Sequence, residues 1–231
     1  MTARQQPSLR LLSLNVNGLR ANDKRRSLFN LLHRDTWDIV LLQETHHSSR
    51  EEGEEWAQEG PHGLRPNWTG PTFWSHGSST SRGVAIFVRP QANVTDIAAR
   101  HVSDDGRTIM VDFTFTGTPF TAVSVYAPST AAGRAAYFTH SLLPSLPHDR
   151  QLLLGGDFNC IASQLDLLDP HGIPGGRLTG YHDGLRHVEA ERQLFDVWRE
   201  RNPVRRSFTH TATTGTSARL DRWLISQTLR P

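Results

Sequence analysis

Short apolar runs separated by longer polar stretches set the elements of this chain. Leu9–Asn15 is apolar with partial alternation and predicts a strand, and Ile39–Gln43 is continuously apolar and predicts a buried one. Between them, Asn22 is placed to cap a helix from Asp23 to Leu32, with Leu28, Leu31 and Leu32 on one face. Thr45 to Arg82 is polar and rich in Gly, Pro, Ser and Trp, so it reads as a long loop with one helical turn near Glu51–Ala57. Val84–Val88 predicts a strand ended by Pro90. Ile109–Phe115 alternates, and Phe120–Tyr126 follows after Gly117-Thr118-Pro119, which predicts a hairpin. Ala131–Leu143 reads as helix, and Leu152–Leu154 as a buried strand running into Gly155-Gly156. Gly184 to Arg199 reads as one amphipathic helix with Val188, Leu194, Phe195 and Trp198 as its apolar positions. Ser207–Thr211 and Arg219–Ser226 read as a last strand pair around Gly215. Numerous strands, few helices and mixed connections imply an α/β fold of two packed sheets with helices outside, not a doubly wound parallel sheet.

Composition narrows this picture. The 231 residues fit one domain, with residues 1–8 expected as a flexible start and 9–231 as the folded body. Leu, Ile, Val and Phe make up about a quarter of the chain, enough for a sizeable core. The single cysteine, Cys160, excludes an internal disulfide and a multi-cysteine zinc site. No apolar run approaches bilayer length, and Arg10 and Ser13 interrupt the first apolar stretch, so neither a membrane partner nor a secretory signal is expected. The expected compartment is intracellular and reducing, nuclear in a eukaryote. A net charge of +2 is too balanced to imply a polyanion partner by itself. Lys24 is the only lysine, which reflects either codon bias or a choice of arginine for phosphate.

Candidate chemistry lies where apolar strands run out into polar residues. Asn15 and Asn17 follow the first strand, Glu44 the second, Tyr126 the hairpin, and Asp157 and Asn159 the run Gly155-Gly156, while Asp221 sits within the last strand. Each piece has an ordinary reading: a turn, a solvated strand end, a core tyrosine, or an ion pair between Asp221 and its neighbours Arg219 and Arg222. Their ordered conjunction is what points to function. If neighbouring strands end on one rim, a glutamate, an aspartate and two amides form a hard-oxygen site suited to Mg²⁺ or Mn²⁺.

The runs Leu-Asn-Val-Asn-Gly-Leu-Arg (14–20), Leu-Leu-Gln-Glu-Thr (41–45), Ser-Arg-Gly-Val-Ala-Ile-Phe (81–87), Val-Tyr-Ala-Pro (125–128), Gly-Gly-Asp-Phe-Asn-Cys (155–160) and Ser-Ala-Arg-Leu-Asp-Arg (217–222) occur in this order. In that order the chain resembles the endonuclease/exonuclease/phosphatase family, from about Leu9 to Ser226. More narrowly, it is similar to exonuclease III-type apurinic endonucleases and to the endonuclease domains of non-LTR retrotransposons. Asn-Val-Asn-Gly, and Gly-Gly-Asp-Phe-Asn-Cys-Ile with Asp166 downstream, favour the retrotransposon branch. The resemblance implies a four-layered α/β sandwich and a Mg²⁺-dependent DNA endonuclease that works as a monomer without a small-molecule cofactor. It implies Glu44 as main metal ligand with Asn15 beside it, and Asn17 acting through water or by hydrogen bonding. Tyr126 would contact the phosphate or nucleophile, Asp157 would orient or deprotonate the attacking water, and Asn159 would hold a scissile phosphate oxygen. Asp221 would buttress a histidine. Thr209, Arg20 and Ser129 would contact substrate; Ser129 stands where repair enzymes commonly have asparagine, which weakens abasic-site preference.

The family pattern continues into a Ser-Asp-His motif, and no histidine follows Asp221 here. The expectation is a sandwich lacking its last strand, with weak nicking and His210 facing a groove or solvent. A catalytically inactive remnant or nucleic-acid-binding scaffold is one alternative reading. The same chemistry on inositol phosphates or another phosphoester is a second. Arg25-Arg26 and Arg199–Arg206 could reach a DNA backbone or be solvated helix ends, and Trp68, Phe73 and Trp74 could touch a base or cover the core.

Overall fold

The computed structural model describes residues 7–60, 67–169 and 183–230; most of the expected flexible start lies outside them. The first half runs β1 (Leu11–Asn15), α1 (Asn22–Arg34), β2 (Ile39–Gln43), α2 (Arg50–Gln58), β3 (Thr72–Ser75), β4 (Val84–Val88), β5 (Val94–Val102), β6 (Thr108–Phe115) and β7 (Thr118–Tyr126). The second half begins with α3 (Ala131–Ala136), which continues through a π-helical stretch, Tyr137–Leu142, into α4 (Leu143–Ser145). It then runs β8 (Gln151–Asp157), β9 (Leu167–Leu168), α5 (Asp183–Glu191), β10 (Leu194–Asp196), α6 (Val197–Arg201), β11 (His210–Thr211), β12 (Ser217–Ala218) and β13 (Asp221–Ser226).

One sheet has the order β1-β2-β4-β3 and the other β10-β13-β8-β7-β6-β5, with a small ribbon β11-β12-β9 beside them. Strand alternation sorts the apolar side chains into three cores. In β2, Ile39 and Leu41 join Val84, Ile86, Ile109, Val111, Phe113 and Ala122 between the sheets. Val40 and Leu42 point the other way, onto Leu28, Phe29 and Leu32 of α1 and onto Trp56, Trp68, Trp74 and Phe87. Behind the larger sheet, Val123, Val125, Leu152, Leu154 and Leu224 meet Phe138, Leu142, Leu185 and Val188 of the outer helices. The layers are therefore helix, sheet, sheet, helix, as expected.

Several details depart from the sequence reading. The helix predicted from Gly184 to Arg199 breaks at Gln193, whose φ is +49°, and Leu194–Asp196 becomes an edge strand paired with β13. Leu194 and Phe195 are thereby both buried, which a helix face would not have required of adjacent residues. The last strand pair is also different: β11 pairs with β12 around Gly215, whereas β13 pairs with β8 and β10. The loop after Thr45 holds a full helix, α2, capped by the Ser49 hydroxyl on the Glu52 N–H at 3.2 Å, and a strand, β3. β5 carried no apolar alternation to reveal it: it is an edge strand paired only with β6, and most of its side chains are exposed. Ala21, not Asn22, caps α1. Arg25 is buried, stacked 5.0 Å from the Trp56 ring centre and paired to Glu59, so it is not a phosphate contact. Trp68 and Trp74 are buried in the helix-side core and Phe73 lies between the sheets, so they cover core. No helix among the described residues is long and apolar enough to cross a membrane.

Two devices fix the end of the sandwich where β7 and β8 run out. Gly156, at φ +153°, lets the backbone of β8 approach β7 so closely that a Cβ there would lie 2.0 Å from the Val125 carbonyl oxygen. Asp166 is fully buried and accepts the Ala162 and Ser163 N–H groups at 3.1 and 3.2 Å, Arg199 Nη2 at 2.6 Å and Arg219 Nε at 2.9 Å. Arg219 also reaches Asp196 at 2.8 Å, tying β13 to the start of α6. Burial alone would push the Asp166 carboxyl up, but these hydrogen bonds and the nearby guanidinium charges outweigh it and hold it below its ordinary value.

Gly156→Ala is expected to cost about 1–3 kcal/mol in urea unfolding, since the strands must part to admit the methyl group. Asp166→Ala should cost about 3–5 kcal/mol by leaving buried arginines uncompensated. Because the native carboxyl is held below its unfolded value, its contribution is present above about pH 4 and is lost as pH falls through the native value. The wild-type chain should therefore lose more stability than Asp166→Ala in unfolding curves taken stepwise below pH 4; parallel curves would contradict the assignment.

Candidate active site

The expected site residues meet because the strands that carry them end together. β1 pairs parallel with β2, placing Asn15 beside Gln43 and next to Glu44. β7 pairs parallel with β8, placing Tyr126 opposite Asp157. β13 runs antiparallel to β8, so its first residue, Asp221, also faces Asp157. Asn15 then spans the two sheets: its Nδ2 donates to Glu44 Oε1 at 2.8 Å and to Asp157 Oδ2 at 3.1 Å. Its Oδ1 accepts the Asn17 N–H at 2.9 Å, which fixes which way the amide faces. Beneath this contact, the buried Gln43 donates from Nε2 to Ser124 Oγ on β7 at 3.0 Å, a second polar link between the sheets.

The loops that present these groups hold unusual backbone. Asn17, Glu44, His46 and Asn159 all have positive φ, between 45° and 59°. Non-glycine residues seldom adopt this region, and such strain collects at functional sites. Backbone hydrogen bonds hold the turns together: Gly18 N–H to the Glu44 carbonyl at 2.6 Å, Leu19 N–H to Thr45 at 3.0 Å, and His46 N–H to Arg82 at 2.9 Å. Lys24 Nζ donates to the Asn17 carbonyl at 2.6 Å and closes the first turn.

Electrostatically the rim is crowded with acids. The Asp157 carboxyl is pushed up to about 6, mostly by burial and then by the neighbouring charges of Asp221 and Glu44, against the hydrogen bonds from Asn15 and from the Asn159 N–H at 2.8 Å. Asp221 is also raised, by burial first, while a hydrogen bond from Thr209 and the charges of Arg222 and His210 work the other way. Tyr126 is raised, by burial and then by the Glu44 carboxylate to which its hydroxyl hydrogen-bonds, so it stays protonated as a donor. The Arg107 guanidinium lies 5.3 Å from the Tyr126 ring centre and donates to its carbonyl at 3.2 Å.

Not every expected residue enters the cluster. Asn17 is exposed and contributes its backbone; among the described residues its side chain makes no hydrogen bond. Thr209 is exposed, and its hydroxyl accepts the Leu220 and Asp221 N–H groups at 3.0 and 3.1 Å. Arg20 pairs with Glu52 at 2.9 Å on the flank, and Ser129 is exposed on the loop after β7. Arg219 and Arg222, the sequence neighbours of Asp221, turn inward: Arg219 pairs with Asp166 and Asp196, and Arg222 donates to the Cys160 carbonyl at 2.7 Å. Arg199 likewise belongs to the Asp166 network. His210 is exposed, as expected. Cys160 is buried with its thiol pushed up to about 11, chiefly by burial, which makes it unreactive. The sequence reading passed over His46, whose Nε2 lies 3.3 Å from Glu44 Oε2. Both residues lie in a left-handed turn beyond the end of β2, so no strand periodicity marked the pair.

The donors fit a hard divalent cation. Glu44, Asp157 and Asp221 converge, and among the described residues the hydrogen bonds reaching the Asp157 carboxylate come only from amides. Such a site holds Mg²⁺ through one or two carboxylates and leaves room for water and phosphate. Among the described residues no group of three or more His, Cys, Asp or Glu side chains is placed to hold a metal ion by itself.

The sequence pattern of the Endonuclease/Exonuclease/phosphatase family matches residues 12–231. The chain is 30% identical over 227 residues to the Transposon TX1 uncharacterized 149 kDa protein of Xenopus laevis, covering 96% of this chain and 16% of that protein's length. An AP endonuclease from Archaeoglobus fulgidus shares the fold with a TM-score of 0.66 at 18% identity, over 96% of this chain and 88% of that one. A 3′ phosphatase from Neisseria bound to product DNA hairpin does so with a TM-score of 0.65 at 19% identity, over the same shares. Matched along nearly its whole length, and with the strand-end groups gathered on one rim, this chain belongs to the Endonuclease/Exonuclease/phosphatase family.

Proposed function

We propose that the chain is a divalent-metal-dependent phosphodiesterase that nicks DNA. The observation that carries this reading is the Asn15 amide joining Glu44 of one sheet to Asp157 of the other, which builds an oxygen-rich site open to a phosphate. Support for DNA as substrate comes from the transposon relative and from the fold shared with a DNA-bound phosphatase. The transposon relative favours target-site nicking over abasic-site cleavage.

A divalent ion at Glu44 would supply positive charge against the charge developing on the phosphate. Asp157, lifted toward neutrality and aimed by two amide donors, takes the proton from the attacking water. The Tyr126 hydroxyl, which donates to Glu44 in the structure, would turn its hydrogen to the phosphate or to the attacking water once a cation occupies Glu44. Asn159 donates one amide hydrogen to the Ala127 carbonyl at 2.8 Å, which fixes the side chain and leaves its second for a phosphate oxygen.

The test is conversion of supercoiled plasmid to open circles by purified residues 1–231. Nicking that stops with EDTA and falls by about 10²-fold or more in Asp157→Ala and Glu44→Ala is expected. Nicking unchanged in both variants would assign the activity to a contaminant. DNA binding with no nicking at any Mg²⁺ or Mn²⁺ concentration would favour the scaffold reading. Inositol phosphate release faster than nicking would replace the substrate.

A further inference from the structure

Besides the Tyr126 hydroxyl, two nitrogens donate to the Glu44 carboxylate: Asn15 Nδ2 reaches Oε1 at 2.8 Å, and His46 Nε2 reaches Oε2 at 3.3 Å. Asn15 ties Glu44 to the opposite sheet, whereas His46 belongs to the same strained turn, with φ of +53° at Glu44 and +59° at His46. The turn is anchored by the fully buried Thr45 between them, whose N–H bonds the Gly83 carbonyl at 3.0 Å. The imidazole has little freedom. Its side chain is only 14% exposed. Its Nδ1 edge lies over Gly18, where a Cβ would come within 2.8 Å of it, so only glycine at that position leaves room for the ring. The His46 carbonyl also accepts from Arg20 at 3.4 Å. Two turns thus meet through one ring.

We infer that His46 is a positioning residue that holds the Glu44 carboxylate in the rotamer able to receive a divalent ion. The inference rests on the metal-dependent reading above and adds a residue to it. His46 donates from Nε2 to Oε2, and together with Asn15 on Oε1 it fixes the plane of the carboxylate. Partners of this kind change metal affinity by about 10–100-fold when removed.

The test is Mn²⁺ binding by the full chain without DNA, followed by electron paramagnetic resonance, with thermal midpoints to monitor the fold. His46→Phe keeps a ring of similar shape without the donor, and His46→Gln keeps a side-chain N–H. The Phe variant is expected to bind Mn²⁺ about 10–100-fold more weakly at a wild-type midpoint, with Gln recovering most of the loss. Glu44→Gln separates the two levels of the account. If Glu44→Gln loses Mn²⁺ but His46→Phe binds as wild type, the role of His46 is overturned and the metal site stands. If Gln is as weak as Phe, a side-chain N–H at this position does not restore binding and the inference is likewise overturned. If Glu44→Gln binds Mn²⁺ normally, the metal-dependent reading fails and the inference with it.

Discussion

The site depends on one side chain placed between two sheets. Asn15 reaches Glu44 on its own sheet and Asp157 on the other, and both contacts require the sheets to stack in one register. A shift by one residue would turn every side chain of β1 to the opposite face and remove the bridge. The layer between the sheets, from Ile39 and Leu41 to Val111 and Phe113, is what resists such a shift. The buried Gln43–Ser124 hydrogen bond adds direction that apolar packing lacks, because a buried amide without its partner costs about 1–3 kcal/mol. Packing supplies the stability here, and these polar links supply the alignment.

The distribution of charge follows a similar division. Arg219 and Arg222 flank Asp221 in the chain, yet strand alternation and the Asp166 and Asp196 carboxylates draw both away from the rim. The structural acids are thus neutralised by arginine, while Glu44, Asp157 and Asp221 are left together with amide, hydroxyl and imidazole partners. Crowding of this sort raises Asp157 and Asp221 and favours a site completed by a cation. An arginine bound directly to Asp157 would have given a stable pair with no proton to exchange.

Much of this arrangement was legible along the chain because it follows strand ends. Five of the strand-end groups, Asn15, Glu44, Tyr126, Asp157 and Asp221, required only the assumption that neighbouring strands finish on one rim, and the pairing of β1 with β2 and of β7 with β8 and β13 provides that. The hairpin of β6 and β7 was equally open to reading, since Thr116 and Gly117 both adopt the positive φ that a two-residue turn needs. What stayed hidden depended on long-range partners. Leu194-Phe195 has the apolar content of a helix face, and only pairing with β13 makes it a strand. β5 is an edge strand with most of its side chains exposed, so nothing in its polarity marks it. The destination of Arg219 could not be read from its neighbour Asp221, because its partners lie at Asp166, 53 positions away, and at Asp196. His46 was hidden differently, since a turn after a strand gives no periodicity to interpret.

A crystal of the full chain soaked in Mn²⁺, with anomalous differences measured at the manganese edge, shows directly whether Glu44 holds a divalent ion. One strong peak coordinated by Glu44 is expected on the rim where Asn15 joins the two sheets, lost in crystals of Glu44→Gln. A peak bound elsewhere with Glu44 uncoordinated, or Glu44 and Asp157 lying apart with no Asn15 bridge, would contradict it.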